Sequence, residues 1–458
     1  MKNIHFEVGY EIKYAELSLN SISVYRELLQ DKVILSLRNF LKLICQGKVY
    51  IESVTNLYNE FFFLLVHKGY SSLEQYIIDE IIFSENAFSK GAENKNFKNS
   101  ENSIKSAAAN DLESLRYVAR LDFSNIKERL LNYFHNDEFK NIIEKFPELK
   151  NTNNFEEHNY ADHIRNLKEK FHYSSNWSEC IEDLQKFHED YGCGMFVRYR
   201  AFIWEYIDGK GRFKGIEKPD PIKLSELVAY ERERSIIIEN TIQFLKGFPA
   251  NNVLIHGDRG TGKSSTVKAI LNKYYTEGLR MIELPKAYLK DFADIIRVLK
   301  TRTQKFIIFI DDLVFEDNEG SYTALKSILE GGLENKSQNV LIYATSNRRH
   351  LVKEYFNERG VFPSPNFSEE IHGGDSVQEK LSLADRFGIN VVFVSPDKNK
   401  YLQIVDGIAK NRNLKIDKET LHKEALKWER WYNGRSARTA RQFIDWIEGH
   451  ERVESHKI

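Results

Sequence analysis

The residues best suited to chemistry form a glycine-rich segment, NNVLIHGDRGTGKSS, over residues 251–265. Its spacing fits G-x-x-x-x-G-K-[ST], a pattern that cradles phosphate groups. A glycine-rich turn can aim consecutive backbone N–H groups at phosphate oxygens, because no side chain blocks the approach. Lys263 would add positive charge at the β- and γ-phosphates, and the Ser264 hydroxyl would bind Mg²⁺. The predicted phosphate site comprises Gly257, Asp258, Arg259, Gly260, Thr261, Gly262, Lys263, Ser264 and Ser265.

Paired acids follow a later apolar run, residues 306–310. Such a run predicts a buried strand that delivers carboxylates to the edge of a parallel sheet, beside the bound phosphates. We assign Asp311 to Mg²⁺, and Asp312 to orienting or deprotonating an attacking water. Many ATPases carry Glu at the second place. The shorter Asp312 would therefore weaken hydrolysis or need help, for which Glu316 is a candidate.

Three more polar groups follow in the chain. Asn347 comes just after a third apolar run and would lie near the γ-phosphate and the water. Arg386 precedes another apolar run and could reach the nucleotide of a neighbouring subunit as an arginine finger, or could form a surface ion pair. Arg438, or alternatively Arg435, begins the last predicted helix and could reach back to the γ-phosphate.

Composition limits the classes of protein that this chain can represent. A chain of 458 residues predicts two to four domains, and 41% hydrophobic with 29% charged residues is typical of a soluble globular protein. The formal net charge of -1 means that any nucleic-acid contact would need a local basic patch. No apolar run approaches the ~18 residues that span a bilayer. We expect a cytoplasmic protein with no membrane partner.

The N-terminal part is predicted to be mainly helical. Apolar residues recur at helical spacing, so residues 1–215 are interpreted as a helical N-terminal domain of unknown role. Residues 86–110 are rich in Asn, Ser and Lys, which predicts a flexible stretch. A strand is possible within residues 195–206, and the Gly/Pro/Lys-rich residues 208–221 are interpreted as a linker. We therefore expect the domain boundary near residue 215.

The second half must hold the polar groups described above. Strands alternate with helices over residues 216–396, which predicts a parallel sheet wrapped by helices, with a helix over about 263–275 after the glycine-rich loop. Residues 397–458 predict a small helical lid, in which Ser436 caps the last helix. The predicted fold class is therefore α/β, preceded by a helical domain.

In this order, the P-loop, the paired acids, Asn347, Arg386 and the lid resemble the AAA+ ATPases. Residues 224–446 are most similar to the uncharacterised bacterial family catalogued as domain of unknown function 815. The resemblance rests on Tyr230-Glu231, Asn240-Thr241, Ala250-Asn251-Asn252, residues 257–265 and 309–313, LKSILEGG at 325–332, YATSNRRH at 343–350, and residues 382–388.

The resemblance implies roles for single residues. Asn347 would be sensor 1, Arg386 the arginine finger and Arg438 sensor 2. Adenine would lie near the helix that opens around residues 227–231, which places Tyr230 among the nucleotide-binding residues. Where relatives usually have Gly-Tyr-Glu, this chain has Ala229 before the tyrosine.

Together these expectations describe a Mg²⁺-dependent ATPase that binds ATP between subunits of a homo-oligomer. Hydrolysis would move the N-terminal domain or an unknown protein or nucleic-acid client. An alternative is a nucleotide-gated adaptor or loader for DNA or a protein client with little intrinsic hydrolysis, which the short Asp312 favours. A small-molecule kinase would share the P-loop but would leave residues 345–350 and the lid without a role.

Overall fold

The computed structural model describes residues 6, 8–94, 102–149, 161–313, 325, 326, 329, 337–347, 386–432 and 434–455. Within these ranges, no helix has both the length and the apolar character needed to cross a bilayer. The chain divides into two compact units, Met1–Arg198 and Tyr199–Ile458. The division falls before the expected boundary near residue 215, because the intervening residues form strands of the second unit.

The first unit is built from helices around one apolar core, where Phe40, Phe61 and Trp177 are fully buried. Short polar side chains begin several helices; the carboxylate of Asp31, for example, accepts the N–H of Val33 at 2.8 Å. The described helices are α1 Tyr10–Ser21, α2 Lys32–Cys45, α3 Ile51–His67, α4 Leu73–Ile82, α5 Ala87–Glu93, α6 Asn102–Ala119, α7 Phe123–Tyr133, α8 Asp137–Glu144, α9 Asp162–Tyr173, α10 Ile181–Tyr191 and α11 Met195–Arg198.

The prediction of a flexible stretch over residues 86–110 is wrong where α5 and α6 occupy it. The side chain of Asn86 accepts the N–H of Ser89 at 3.0 Å, and the Ser89 hydroxyl accepts the N–H of Asn86 at 2.9 Å. This reciprocal cap offsets the low apolar content of α5. Phe88 of α5 and Ala108 of α6 are fully buried, so both helices contribute buried residues.

The second unit contains a mostly parallel sheet of seven described strands, in the order β2-β1-β4-β5-β6-β3-β7. Only the β1–β2 pair is antiparallel. The strands are β1 Ala201–Ile207, β2 Lys210–Gly215, β3 Val253–Gly257, β4 Leu279–Glu283, β5 Lys305–Ile310, β6 Val340–Ser346 and β7 Ile389–Phe393. The helices around the sheet are α12 Glu231–Leu245, α13 Lys263–Tyr274 and α14 Phe292–Leu299. Because β3, β5 and β6 lie inside the sheet, they are continuous apolar runs.

The interpretation of residues 208–221 as a linker is wrong for β2, which pairs with β1 at the sheet edge. Its glycines are packing positions. An added Cβ at Gly211 would lie 2.3 Å from the Trp204 ring, and one at Gly215 would lie 2.2 Å from the Tyr199 ring. These glycines therefore let aromatic rings lie flat against the hairpin, which composition alone cannot distinguish from a flexible linker.

A lid of three helices follows β7: α15 Lys398–Asn411, α16 Lys418–Trp431 and α17 Ala437–Ser455. Tyr401, Ala425 and Phe443 come from the three helices in turn and are fully buried. The predicted cap of the last helix is confirmed, since the N–H of Thr439 donates to the Ser436 hydroxyl at 3.0 Å.

Candidate nucleotide-binding site

The glycine-rich loop joins β3 to α13 and needs its glycines at three places. Gly257, Gly260 and Gly262 have φ angles of 133°, 75° and 92°, which favour a residue without Cβ. An added Cβ at Gly257 would lie 2.0 Å from the carbonyl oxygen of Phe393, and one at Gly260 would lie 2.9 Å from the Ser436 hydroxyl. The loop is therefore pressed between β7 and the start of α17.

Lys263 is the first residue of α13, and its ammonium group lies within the curve of the loop. Nζ donates to the carbonyl oxygens of Gly257 at 2.8 Å and Asp258 at 2.7 Å, and to Oδ1 of Asn347 at 3.0 Å. The residue is buried, and this burial lowers the pKa of its ammonium group. A fixed cation thus lies at the N-terminal end of a helix, where anions are favoured.

Ser264 and Asp311 bring a hydroxyl and a carboxylate together beside Lys263. The Ser264 Oγ donates to Oδ1 of Asp311 at 2.7 Å, and the Thr345 hydroxyl donates to the same oxygen. Hard oxygen donors of this kind suit Mg²⁺. The residues present therefore fit the metal site that the sequence predicts.

Asp312 lies at a tight turn just after β5. Its φ of 51° is left-handed, and its N–H donates to the Thr345 hydroxyl at 2.9 Å. Its Oδ1 accepts a hydrogen bond from Nδ2 of Asn347 at 2.6 Å, and Nζ of Lys286 lies 4.0 Å from its Oδ2. Sequence reasoning did not identify Lys286. The feature that could have identified it is its position just after β4, the strand next to β5.

These groups border a cavity of about 710 Å³, whose size suits a small organic ligand. Among the lining residues, Leu227, Val228, Ile404 and Ile408 form an apolar wall. An added Cβ at Gly407 would lie 2.5 Å from both methyl carbons of Val228, so the absence of a side chain there makes room for Val228. The resemblance placed adenine near residues 227–231, which include Val228, whereas sequence reasoning assigned Gly407 no part in the site.

Six cationic side chains line the same cavity, namely Arg234, Arg259, Lys263, Arg412, Arg438 and Arg441. This set is suited to a polyanionic ligand. Two of these arginines, Arg234 and Arg441, carry no local motif and were missed by sequence reasoning. Arg412 was missed as well, and it already pairs with Glu448 at 2.9 Å.

The two candidate lid arginines lie in different places. Arg438 lines the cavity, and its N–H donates to the carbonyl oxygen of Gly260 at 3.0 Å. Arg435 does not line it and instead binds both carboxylate oxygens of Glu429, at 2.7 and 3.0 Å. Of the two arginines, therefore, only Arg438 lies where it could contact a ligand in the cavity.

Other expected site residues lie outside the cavity wall. Arg386 is half-buried and does not line the cavity of its own chain. Gly257 and Asp258 belong to the loop without lining the cavity. Tyr230 does not line it either, because it is buried with its hydroxyl donating to the carbonyl oxygen of Val394 at 2.6 Å. Burial raises the pKa of Tyr230 to about 12.

Some expectations fall on residues outside the described ranges. These are Glu316, the arginines of the motif at residues 348–350, and most of LKSILEGG at 325–332.

The core strand order β4-β5-β6-β3-β7 places the P-loop, both acids and Asn347 at one sheet edge beneath a helical lid. This arrangement agrees with the P-loop core and helical lid that the resemblance to the AAA+ ATPases implies. The chain belongs to the family described as Protein of unknown function (DUF815), whose model matches residues 197–451.

Comparison with solved structures gives distant matches. The chain is similar to the RuvB Holliday junction branch migration motor of Thermotoga maritima, with 16% identity over 51% of this chain and 67% of that chain, and a TM-score of 0.36. Two variants of that motor match at 16% and 15% identity, with the same coverage and TM-score. A similarity this distant supports no statement about activity. No curated protein matches the sequence.

Proposed function

We propose that this chain is a Mg²⁺-dependent ATPase of the AAA+ class that acts as a homo-oligomer. One observation carries the proposal: the Lys263 ammonium, the Ser264–Asp311 contact of 2.7 Å and the Asp312–Asn347 contact of 2.6 Å line the same cavity. The apolar wall of this cavity suits a purine base.

The triphosphate would lie against the loop between Gly260 and Ser265. Backbone N–H groups and the N-terminal end of α13 would bind its oxygens, with Lys263 and Arg438 neutralising their charge. Ser264 and Asp311 would hold Mg²⁺, which supplies further positive charge beside the phosphates when bound.

The attacking water would be held by Asp312 and Asn347. The Asn347 side chain already links the two halves of the site, because its Oδ1 accepts from Lys263 and its Nδ2 donates to Asp312. In-line attack on the γ-phosphate needs positioning more than covalent participation by the protein. We assign Arg386 to the nucleotide of a neighbouring subunit.

Phosphate release from ATP across a protein dilution series tests this proposal. Lys263→Ala should abolish binding, and Asp312→Asn should keep binding while lowering turnover by about 100-fold or more. Lys268→Ala is the matched control for the lysine, since Lys268 lies on the same helix but does not line the cavity. Asp294→Asn, at a surface ion pair, is the control for the acid. Wild-type turnover in Lys263→Ala would refute the site.

The role of Arg386 has its own test. Arg386→Ala keeps its own P-loop, while Lys263→Ala keeps its own arginine. If Arg386 acts on a neighbour, mixing the two inactive variants should restore part of the turnover, and wild-type turnover per subunit should rise with concentration. A rate that does not depend on concentration, with no rescue on mixing, contradicts this assignment.

A second candidate function is a nucleotide-gated adaptor or loader for a DNA or protein client. The short side chain at Asp312 favours it, together with the engagement of that carboxylate by Asn347. Binding of ATP with Mg²⁺ by the wild type, without phosphate release, would make this function the leading one. Stimulation by added DNA, compared with added unfolded protein, would then distinguish the class of client.

A further inference from the structure

We propose that Tyr230 is a positioning residue for the lid: it fixes the connection between the sheet and the lid, and so sets how the lid closes over the cavity. The inference deepens the proposed function, because the lid carries Arg438 and part of the apolar wall. The geometry of Tyr230 itself, however, involves no nucleotide.

The first observation is the backbone around Tyr230. Ala229 and Tyr230 have φ angles of 62° and 61°, and both side chains are buried. Consecutive left-handed conformations are rare for residues other than glycine, and they persist only where the surroundings enforce them. The contacts of this turn should therefore be strong and specific.

The second observation is what the Tyr230 side chain contacts. Its hydroxyl donates to the carbonyl oxygen of Val394 at 2.6 Å, and its ring stacks on Phe393 with centroids 5.1 Å apart. Val394 lies between β7 and α15, in the segment that joins the sheet to the lid. From the lid, Nζ of Lys400 lies 3.7 Å from the centroid of the Tyr230 ring. Tyr230 thus contacts both the connection and the first lid helix.

The third observation is that the P-loop holds the same connection from its other side. Asp258 donates its N–H to the carbonyl oxygen of Phe393 at 3.0 Å, and its Oδ2 accepts the N–H of Ser395 at 2.6 Å. Hydrogen bonds from Ser395 also hold the pKa of Asp258 below its usual range. Residues 393–395 are therefore fixed between Tyr230 and the phosphate-binding loop.

Through these contacts, the segment before α12, residues 225–230, connects the lid to the cavity wall. Val228, two residues before Tyr230, lines the cavity and fits the space above Gly407 in the lid. Asn411 of the lid donates to the carbonyl oxygen of Ser225 in the same segment at 3.3 Å. A shift of Tyr230 would therefore change the lid and the cavity wall together.

The test uses hydrogen–deuterium exchange of the full chain without nucleotide. Two amides bridge the lid region and the P-loop: Ser395 N–H, which donates to Asp258, and Arg438 N–H, which donates to Gly260. Tyr230→Phe removes the hydroxyl but keeps the ring. We expect exchange at both amides to become roughly 3- to 10-fold faster, the factor for one hydrogen bond, with helix-internal amides of α15 unchanged.

One further variant keeps the inference testable if Tyr230→Phe unfolds the protein. Lys400→Met removes the cation over the ring and should act in the same direction, because a cation at 3.7 Å stabilises the ring position. Lys410→Met, on the same helix, and Tyr432→Phe, in the lid, are the matched controls and should leave both amides unchanged. Exchange equal to wild type in Tyr230→Phe and Lys400→Met, or equally fast in the controls, would overturn the inference.

A titration with ATP and Mg²⁺ separates this inference from the proposed function. If the proposed function and the positioning role of Tyr230 both hold, Tyr230→Phe weakens ATP binding roughly 3- to 10-fold. At saturating ATP, the turnover of Tyr230→Phe should then be closer to that of the wild type than the turnover of Asp312→Asn is. If the wild type does not bind ATP but the two amides still respond, the proposed function fails and the positioning role of Tyr230 stands.

Discussion

Substitution of Gly407 by alanine tests whether lid packing controls the nucleotide cavity. In an ordinary helix interior, Gly→Ala stabilises a protein by about 1 kcal/mol. Here the new Cβ would lie 2.5 Å from both methyl carbons of Val228, whereas apolar carbons prefer separations of about 3.5–4.0 Å. Val228 would have to retreat by about 1 Å, and overpacking of this kind costs about 1–3 kcal/mol.

The cost should appear in ligand binding, because Val228 lines the cavity. We expect Gly407→Ala to weaken ATP binding by about tenfold, or about 1.4 kcal/mol, measured by calorimetric titration with Mg²⁺. Val228→Ala removes the methyl groups that the new Cβ meets. The double variant should therefore bind more tightly than the sum of the single effects predicts, with a coupling energy of about 1–2 kcal/mol.

Gly449→Ala is the matched control, since it is a lid-helix glycine with no atom within 4 Å of an added Cβ. It should raise the free energy of unfolding by about 1 kcal/mol and leave ATP affinity unchanged. Wild-type affinity in Gly407→Ala would refute the reasoning, as would a double variant whose two effects simply add.

Two further predictions concern other parts of the chain. Arg438→Ala should lower ATP turnover by about 100-fold, because Arg438 lines the cavity. Arg435→Ala should instead lower the melting temperature more than turnover, because the substitution leaves the buried Glu429 without its partner. Turnover and melting temperature measured on both variants check this prediction. Burial lowers the pKa of His188 to about 4 from 6.5, with its Nδ1–H donating to the carbonyl oxygen of Gly192. As the pH falls, the unfolded state takes up the proton first, so the free energy of unfolding of the first unit should fall by about 3 kcal/mol between about pH 6.5 and 4, and then level off. Urea unfolding at several pH values measures this dependence, which should disappear in His188→Gln.

The P-loop could be predicted from sequence because its chemistry depends on residue types at short, fixed spacing. A helix expected over about residues 263–275 is α13, Lys263–Tyr274. The strands before the loop and before Asp311 were equally visible, since buried parallel strands are continuous apolar runs. Local rules were sufficient for these elements.

The lid side of the apolar wall and the lid contacts could not be predicted from local patterns, because they join residues far apart in the chain. Val228 meets Gly407, and Tyr230 meets Val394, only once β7 lies beside β3 and the lid folds back. Composition also led to the wrong prediction of a linker around Gly211, because a glycine that makes room for the Trp204 ring cannot be distinguished by residue type from a glycine in a flexible linker. Sequence spacing carries no information on which of the two applies.

The geometry at Asp312 bears on whether the short acid excludes rapid hydrolysis. A carboxylate used as a base needs a free oxygen; here Oδ1 accepts from Asn347, which leaves Oδ2, 4.0 Å from Nζ of Lys286, to contact the water. In a loose phosphoryl-transfer transition state, little proton abstraction from the attacking water is needed, so a carboxylate that only orients this water is sufficient for hydrolysis. The left-handed turn at Asp312, held by Thr345, fixes that orientation through the backbone. Loss of one methylene relative to Glu therefore shortens the reach of the acid without removing its capacity to position water.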